Sequence, residues 1–242
     1  MGSMQTVNGV SVYRAEAQGD LRGALIVIHE IWGLVDHIKN VADRYAAEGY
    51  LVMSPDLLSD AGVTPEVGEE LFEMMHDTDE QRRTANQPKL REAFAASRAP
   101  EFAAGAIAKL TAVVDALDQE KGVDGRIGVL GFCFGGSYSF SLAESDARVK
   151  AAVPFYGSAE PGEVASIHCP VLAFYGDRDQ RLMDALPGLK KAMTDAGVDF
   201  EAKVYEDAGH AFFNDTNPST FDPAAAGDAW SRSLEFLRAN VG

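Results

Sequence analysis

The chain has 242 residues, 46% of them apolar, which suits one large α/β domain or two small ones and is too many for a disordered chain. Its formal charge of −16 repels phosphate backbones, so nucleic-acid binding is not expected. No apolar run is long enough to cross a bilayer, and the start lacks the basic and apolar stretches of a signal peptide. With only two cysteines, Cys133 and Cys169, no disulfide framework is expected, and a reducing cytoplasm is the expected location.

Met1-Gly2-Ser3 ahead of Met4 reads as an appended start and stays outside the predicted fold. Ala24-Leu25-Ile26-Val27-Ile28 is wholly apolar, as expected of a strand covered on both faces. Ile38, Val41, Ala42, Tyr45 and Ala46 fall at helical spacing, and Gly49 can end that helix. Tyr50 to Met53 predicts a second strand, closed by Ser54-Pro55-Asp56. The stretch 57–100 is the least regular, acidic at first and then carrying Arg82, Arg83, Arg91 and Arg98. It predicts helices and loops beyond the strand ends, a possible lid, or else a solvated excursion.

Helical periodicity returns over 101–118 through Ile107, Leu110, Val113, Val114 and Leu117. Ile127 to Leu130, Ala151 to Phe155, Val171 to Tyr175 and Phe200 to Tyr205 predict further strands, with helices around 186–196 and 228–239. Regular alternation of strand and helix means a mainly parallel, doubly wound sheet with helices on both faces. No repeat or flexible linker interrupts it, so one α/β domain is expected over 1–242.

Gly131-Phe132-Cys133-Phe134-Gly135-Gly136 follows a buried strand and can open a helix. It has the form of a nucleophile elbow, with cysteine in the place of serine. Such a tight turn needs glycines beside the nucleophile. The helix dipole favours a thiolate there, and the next backbone N–H points at a developing oxyanion. The bland reading is a buried cysteine in a glycine-rich turn.

In this fold the order is nucleophile, acid, histidine. Past the strand ending Phe174-Tyr175-Gly176, Asp179 is preferred to Asp177 because Gly-x-x-Asp gives the chain room to turn; each could instead be a loop cap. His210, after the last strand, is the only one of five histidines in the required place. In this arrangement the imidazole takes the thiol proton or holds an ion pair with the thiolate, and the carboxylate fixes its tautomer and stabilises the imidazolium.

His29-Glu30-Ile31-Trp32-Gly33 begins like a zinc motif but has glycine where the second histidine belongs, so neither metal nor cofactor is expected. The N–H of Ile31 is a candidate oxyanion donor beside that of Phe134. Glu30, a carboxylate at the end of a buried strand, costs desolvation unless paired, and a structural arginine partner is the alternative to a functional role.

At Glu30-Ile31-Trp32-Gly33, Ser54-Pro55-Asp56-Leu57, the cysteine elbow, Tyr175-Gly176-Asp177-Arg178-Asp179 and Ala208-Gly209-His210-Ala211-Phe212, the chain resembles the dienelactone hydrolase (carboxymethylenebutenolidase) family from about residue 10 onward. The resemblance implies an α/β-hydrolase fold, a Cys133–Asp179–His210 triad and a thioester intermediate. It also implies that Glu30 holds the resting thiol neutral and takes its proton when substrate enters. Family members that act on dienelactone bind its carboxylate through two arginines. Arg91 lies where the first would fall, with Arg82, Arg83 or Arg98 as alternatives. The second normally follows the histidine, where this chain reads Ala211-Phe212-Phe213-Asn214. The expected substrate is therefore a small lactone or ester, with dienelactone itself in doubt and the protein a monomer or small homo-oligomer. A general short-chain esterase or thioesterase, and a non-catalytic binding protein of the same fold, are the competing readings.

Overall fold

The computed structural model describes residues 1–242, residue 100 by its backbone alone. β1 (Ser3–Val7) and β2 (Val10–Ala15) form a hairpin, and β2 lies antiparallel to β4 (Tyr50–Pro55). β3 (Gly23–Ile28), β5 (Ile127–Phe132), β6 (Val149–Phe155), β7 (Val171–Gly176) and β8 (Phe200–Tyr205) continue the sheet in parallel. The order β1-β2-β4-β3-β5-β6-β7-β8 makes one eight-stranded, mainly parallel sheet.

The hairpin turns on Asn8-Gly9, with φ of 48° and 82°. Positive φ at both central residues is the two-residue turn whose twist suits a hairpin. Ser3 pairs with Arg14, and the Gly2 N–H reaches Tyr13 Oη and Asp43 at 2.8 Å. Ser3, left outside the predicted fold, thus opens β1, and Gly2 is tied to the sheet through Tyr13.

α1 (Asp36–Ala47) and α7 (Pro223–Asn240) cover one face and meet through Tyr45 Oη and Ser233 Oγ at 2.8 Å. α4 (Pro100–Asp118), α5 (Phe134–Ser145) and α6 (Gln180–Ala196) cover the other. Leu25, Ile26, Val27 and Ile28 are fully buried between these layers. Each such side chain contributes roughly 1.5–3 kcal/mol by leaving water, which is why β3 carries no polar residue.

Residues 57–100 form α2 (Pro65–Met75) and α3 (Glu80–Ala93) with short 3-10 turns on either side. Thr64 and Asp79 cap these helices through their side chains. The segment has its own small apolar cluster of Leu58, Val63, Leu71, Leu90 and Phe94 around Trp32, apart from the main core. It sits by way of Trp32 at the carboxyl ends of the parallel strands, where open α/β sheets place their ligands.

Candidate active site

Five strand ends deliver side chains to one place. β3 leads into His29 and Glu30, β5 into Cys133, β6 into Tyr156, β7 into Asp179 and β8 into His210.

Cys133 has φ 55° and ψ −109°. A non-glycine residue in that region is strained and must be held by its surroundings. The holding is visible in the glycines. A Cβ on Gly131 would lie 2.2 Å from the Gly135 carbonyl oxygen, and one on Gly135 would lie 2.3 Å from that of Ile28. Strand, turn and helix can approach this closely only without side chains there. Phe134 opens α5, so its N–H belongs to the unpaired amino end of that helix. Ile31 is half-buried in the loop after β3, next to Glu30.

His210 Nδ1 meets Asp179 Oδ2 in a short hydrogen bond, and Cys133 lies beside the same imidazole. Burial works against a charged imidazole here. The Asp179 hydrogen bond and the Cys133 sulfur outweigh it and raise the His210 pKa to about 10. Burial pushes the Asp179 carboxyl up, but His210 and the Leu182 N–H bring it below its ordinary value. The second Asp179 oxygen accepts from Leu182 N at 3.3 Å, capping α6. The loop cap and the histidine partner, alternatives in the sequence, are one residue. Asp177 is exposed.

Glu30 is 2% exposed and has no arginine partner among the described residues. Asn214 Nδ2 donates to its Oε2 at 2.8 Å, and Tyr156 Oη donates to its Oε1 at 3.4 Å. The amide orientation is fixed from the other side, because Asn214 Oδ1 accepts from Thr216 N at 3.0 Å and Thr216 Oγ1 at 2.7 Å. Burial raises the Glu30 pKa to about 7 against these two donors and the nearby His210. Tyr156 has φ 40°, and its ring lies 5.1 Å from that of His210. Burial, Glu30 and Cys133 all push its phenol well above the ordinary value, so it donates as a neutral hydroxyl.

His29 is wholly buried and ties two loops together. Leu57 N donates to its Nε2 at 3.1 Å, so Nδ1 carries the proton and donates to the Glu30 carbonyl at 2.6 Å. Burial lowers its pKa and keeps it neutral. Its ring stacks on Phe134 at 5.7 Å, bracing the two loops that hold the candidate oxyanion donors.

Arg91 is exposed on α3, and among the described residues no hydrogen bond or ion pair joins it to this cluster. Arg82 pairs with Asp77 at 3.0 Å, Arg83 donates to the Asp77 carbonyl at 2.5 Å, and Arg98 is exposed. Cys169 is buried, and burial pushes its thiol up to about 11.

The sequence matches the dienelactone hydrolase family over residues 10–241. The chain belongs to that family. It is 31% identical over 229 residues to a "Putative carboxymethylenebutenolidase" of Saccharolobus solfataricus, covering 89% of this chain and 88% of that one. An Escherichia coli protein of the same description is 29% identical, covering 88% of this chain and 76% of its own. Among solved structures, a "Putative Dienelactone Hydrolase" from Klebsiella pneumoniae superposes with a TM-score of 0.80 at 27% identity, covering 98% of both chains. The family makes the protein an α/β-fold hydrolase acting on ester bonds.

Tyr156, Asn214 and His29 are the site residues that sequence reasoning missed. Asn214 stands where the family's second arginine was sought. The Glu30 partner is 184 residues away in the chain, so only the fold reveals the bond.

Proposed function

We propose that this dienelactone hydrolase family member cleaves small lactones or carboxylic esters through a thioester to Cys133. The observation that carries the reading is the linked row of Asp179, His210 and Cys133, with the cysteine strained at the amino end of α5.

The Cys133 sulfur attacks the carbonyl carbon, and the carbonyl oxygen takes the electron pair. The N–H groups of Ile31 and Phe134 stabilise that oxyanion. The oxyanion then collapses, the carbon–oxygen ester bond breaks, and protonated His210 gives its proton to the leaving alkoxide. In a lactone the leaving oxygen stays attached and the ring opens. Neutral His210 next removes a proton from water as the water attacks the thioester. Collapse breaks the carbon–sulfur bond and releases the acid; Glu30 gives its proton back to the Cys133 sulfur, and His210 keeps the proton taken from water, so the site is restored. Asp179 holds the imidazole in the tautomer that both steps need.

Glu30 serves as a proton store beside the sulfur. Burial keeps it able to carry a proton near neutral pH, and it accepts the thiol proton when substrate displaces the resting arrangement. A thiol held neutral at rest is protected from oxidation. The stretch Ala211-Phe212-Phe213-Asn214 after His210 carries no arginine, and the Asn214 amide is taken up by Glu30 and Thr216, so the reading does not extend to the carboxylate of dienelactone.

The test is a panel of lactones and esters at fixed enzyme concentration, with Cys133→Ala as the blank. Turnover of short esters by the wild type and none by the variant is expected. Equal turnover in both overturns the reading.

A further inference from the structure

Cys133 and Tyr156 stand at the same level of two neighbouring strands. β5 and β6 run parallel with Phe132 opposite Phe155, and the Cys133 N–H donates to the Phe155 carbonyl at 3.0 Å. Both strands bend away one residue later, at Cys133 with φ 55° and at Tyr156 with φ 40°. The two bends are pressed together. A Cβ on Gly136 would lie 2.3 Å from the Phe155 carbonyl oxygen, and one on Gly157 would lie 2.2 Å from the Gly136 carbonyl carbon. On its other side the Tyr156 N–H donates to the Phe174 carbonyl at 2.7 Å. Strain of this kind persists only where the surroundings over-determine it, and it gathers at working sites.

Tyr156 is wholly buried, and among the described residues its hydroxyl has one partner, Glu30 Oε1 at 3.4 Å. Its ring lies 5.1 Å from that of His210. Among the described residues no hydrogen bond joins the Cys133 sulfur to Glu30 directly.

The two Glu30 oxygens are not alike. Oε2 faces the Asn214 amide nitrogen, which can only donate, because Thr216 holds the other end of that amide. A proton arriving at Glu30 therefore goes to Oε1, the oxygen that faces a hydroxyl. A hydroxyl both donates and accepts, so it can hold this carboxyl in either state. Burial first, and then Glu30 and the Cys133 sulfur, keep the Tyr156 phenol well above its ordinary value.

We propose that the Tyr156 hydroxyl carries the thiol proton from Cys133 to Glu30 Oε1. The inference rests on the thioester reading above and gives its Glu30 step a path. The S–H bond breaks and its proton bonds to the Tyr156 oxygen, while the proton already on that oxygen passes to Oε1. The sulfur keeps the electron pair as a thiolate, Tyr156 is a hydroxyl before and after, and Glu30 ends neutral. The Tyr156 O–H then donates to the thiolate, and Glu30 donates to Tyr156. The reverse shift restores the thiol once the acid has left.

Tyr156→Phe tests it, because it removes the oxygen and keeps the ring that packs on Phe132 and Phe212. The readout is kcat/KM for p-nitrophenyl acetate across pH, which reports acylation. A fall of roughly 10²-fold is expected. The rise through pH about 7 that Glu30 sets in the wild type is expected to vanish, in Tyr156→Phe as in Glu30→Gln. Glu30→Gln/Tyr156→Phe is expected to lose no more than either single variant, since the two residues serve one step. Wild-type kcat/KM in Tyr156→Phe overturns the bridge. So does a rise that survives at a shifted pH, which would make Tyr156 a donor to Glu30 and nothing more. Losses that multiply in the double variant overturn it too. Failure of the thioester reading looks different: the wild type then releases p-nitrophenol no faster than Cys133→Ala.

Discussion

The amide of Asn214 donates to Glu30 Oε2 at 2.8 Å and is itself locked by Thr216 on its carbonyl side. A buried carboxyl is thus held by neutral donors, with a pKa of about 7. Replacing Asn214 with Leu removes the stronger donor to the charged form, so the Glu30 pKa rises. If Glu30 must be ionised to accept the thiol proton, kcat/KM climbs as pH passes about 7 in the wild type. In Asn214→Leu that limb moves up by about one unit. A pH profile of kcat/KM for a neutral ester reads the shift; an unmoved limb counts against Glu30 as the acceptor.

The same carboxyl links stability to pH. Its folded-state pKa, about 7, lies above its ordinary value of 4.5, so the folded protein holds the proton more tightly. This contribution is full below 4.5 and is lost as pH rises through about 7, worth about 3 kcal/mol in all. Glu144 is also raised to about 7 by burial and Glu163, so wild-type stability alone does not isolate Glu30. The difference between Glu30→Gln and wild type does. Urea unfolding is expected to show the variant gaining on the wild type from pH 5 to pH 8. A constant difference contradicts the account.

Asp179 joins two tasks that mutation can separate. Asparagine is as good an N-cap as aspartate, so Asp179→Asn is expected to keep α6 and the melting temperature. It loses the charge that holds His210, and kcat is expected to fall roughly 10³–10⁴-fold. Asp179→Ala is expected to lose the same activity and a further ~1 kcal/mol of stability. Comparing Tm with kcat in the two variants checks this; full activity in Asp179→Asn removes the carboxylate from the proposal.

Gly68 packs its backbone on the Trp32 carbonyl, where a Cβ would stand 1.7 Å from the oxygen. Gly68→Ala must therefore push α2 off the loop that carries Glu30 and Ile31. Faster hydrogen exchange over residues 65–93 and a lowered kcat/KM are expected, with the main sheet still protected. Unchanged exchange in α2 shows that the contact does not fasten this segment.

β3, β4, β5 and β7 are legible because burial on both faces leaves a nearly continuous apolar run, whereas β8, with Glu201 and Lys203, is legible only from its place in the strand–helix alternation. The first hairpin has a strong turn signal in Asn8-Gly9 and an alternating pattern in β2, but β1 is exposed and short of apolar residues, so only one side of the turn reads as a strand. α3 is hard to read for a similar reason. α3 buries little besides Leu90 and so lacks a periodic face. At the site, Cys133, Asp179 and His210 could be proposed from spacing because the fold fixes their order. Tyr156 and Asn214 could not, since a φ of 40° and an amide bonded across 184 residues leave no local pattern.

The central claim is that Cys133 becomes acylated. The direct measurement is intact-mass spectrometry of enzyme mixed with p-nitrophenyl acetate and quenched in acid within the first turnovers. One acetyl group on wild-type protein, mapped to the peptide bearing Cys133 and absent from Cys133→Ala, is expected. Buried Cys169, its thiol pushed up to about 11, is expected to stay unmodified. Turnover with acetyl on another residue, or equal turnover by Cys133→Ala, contradicts the account.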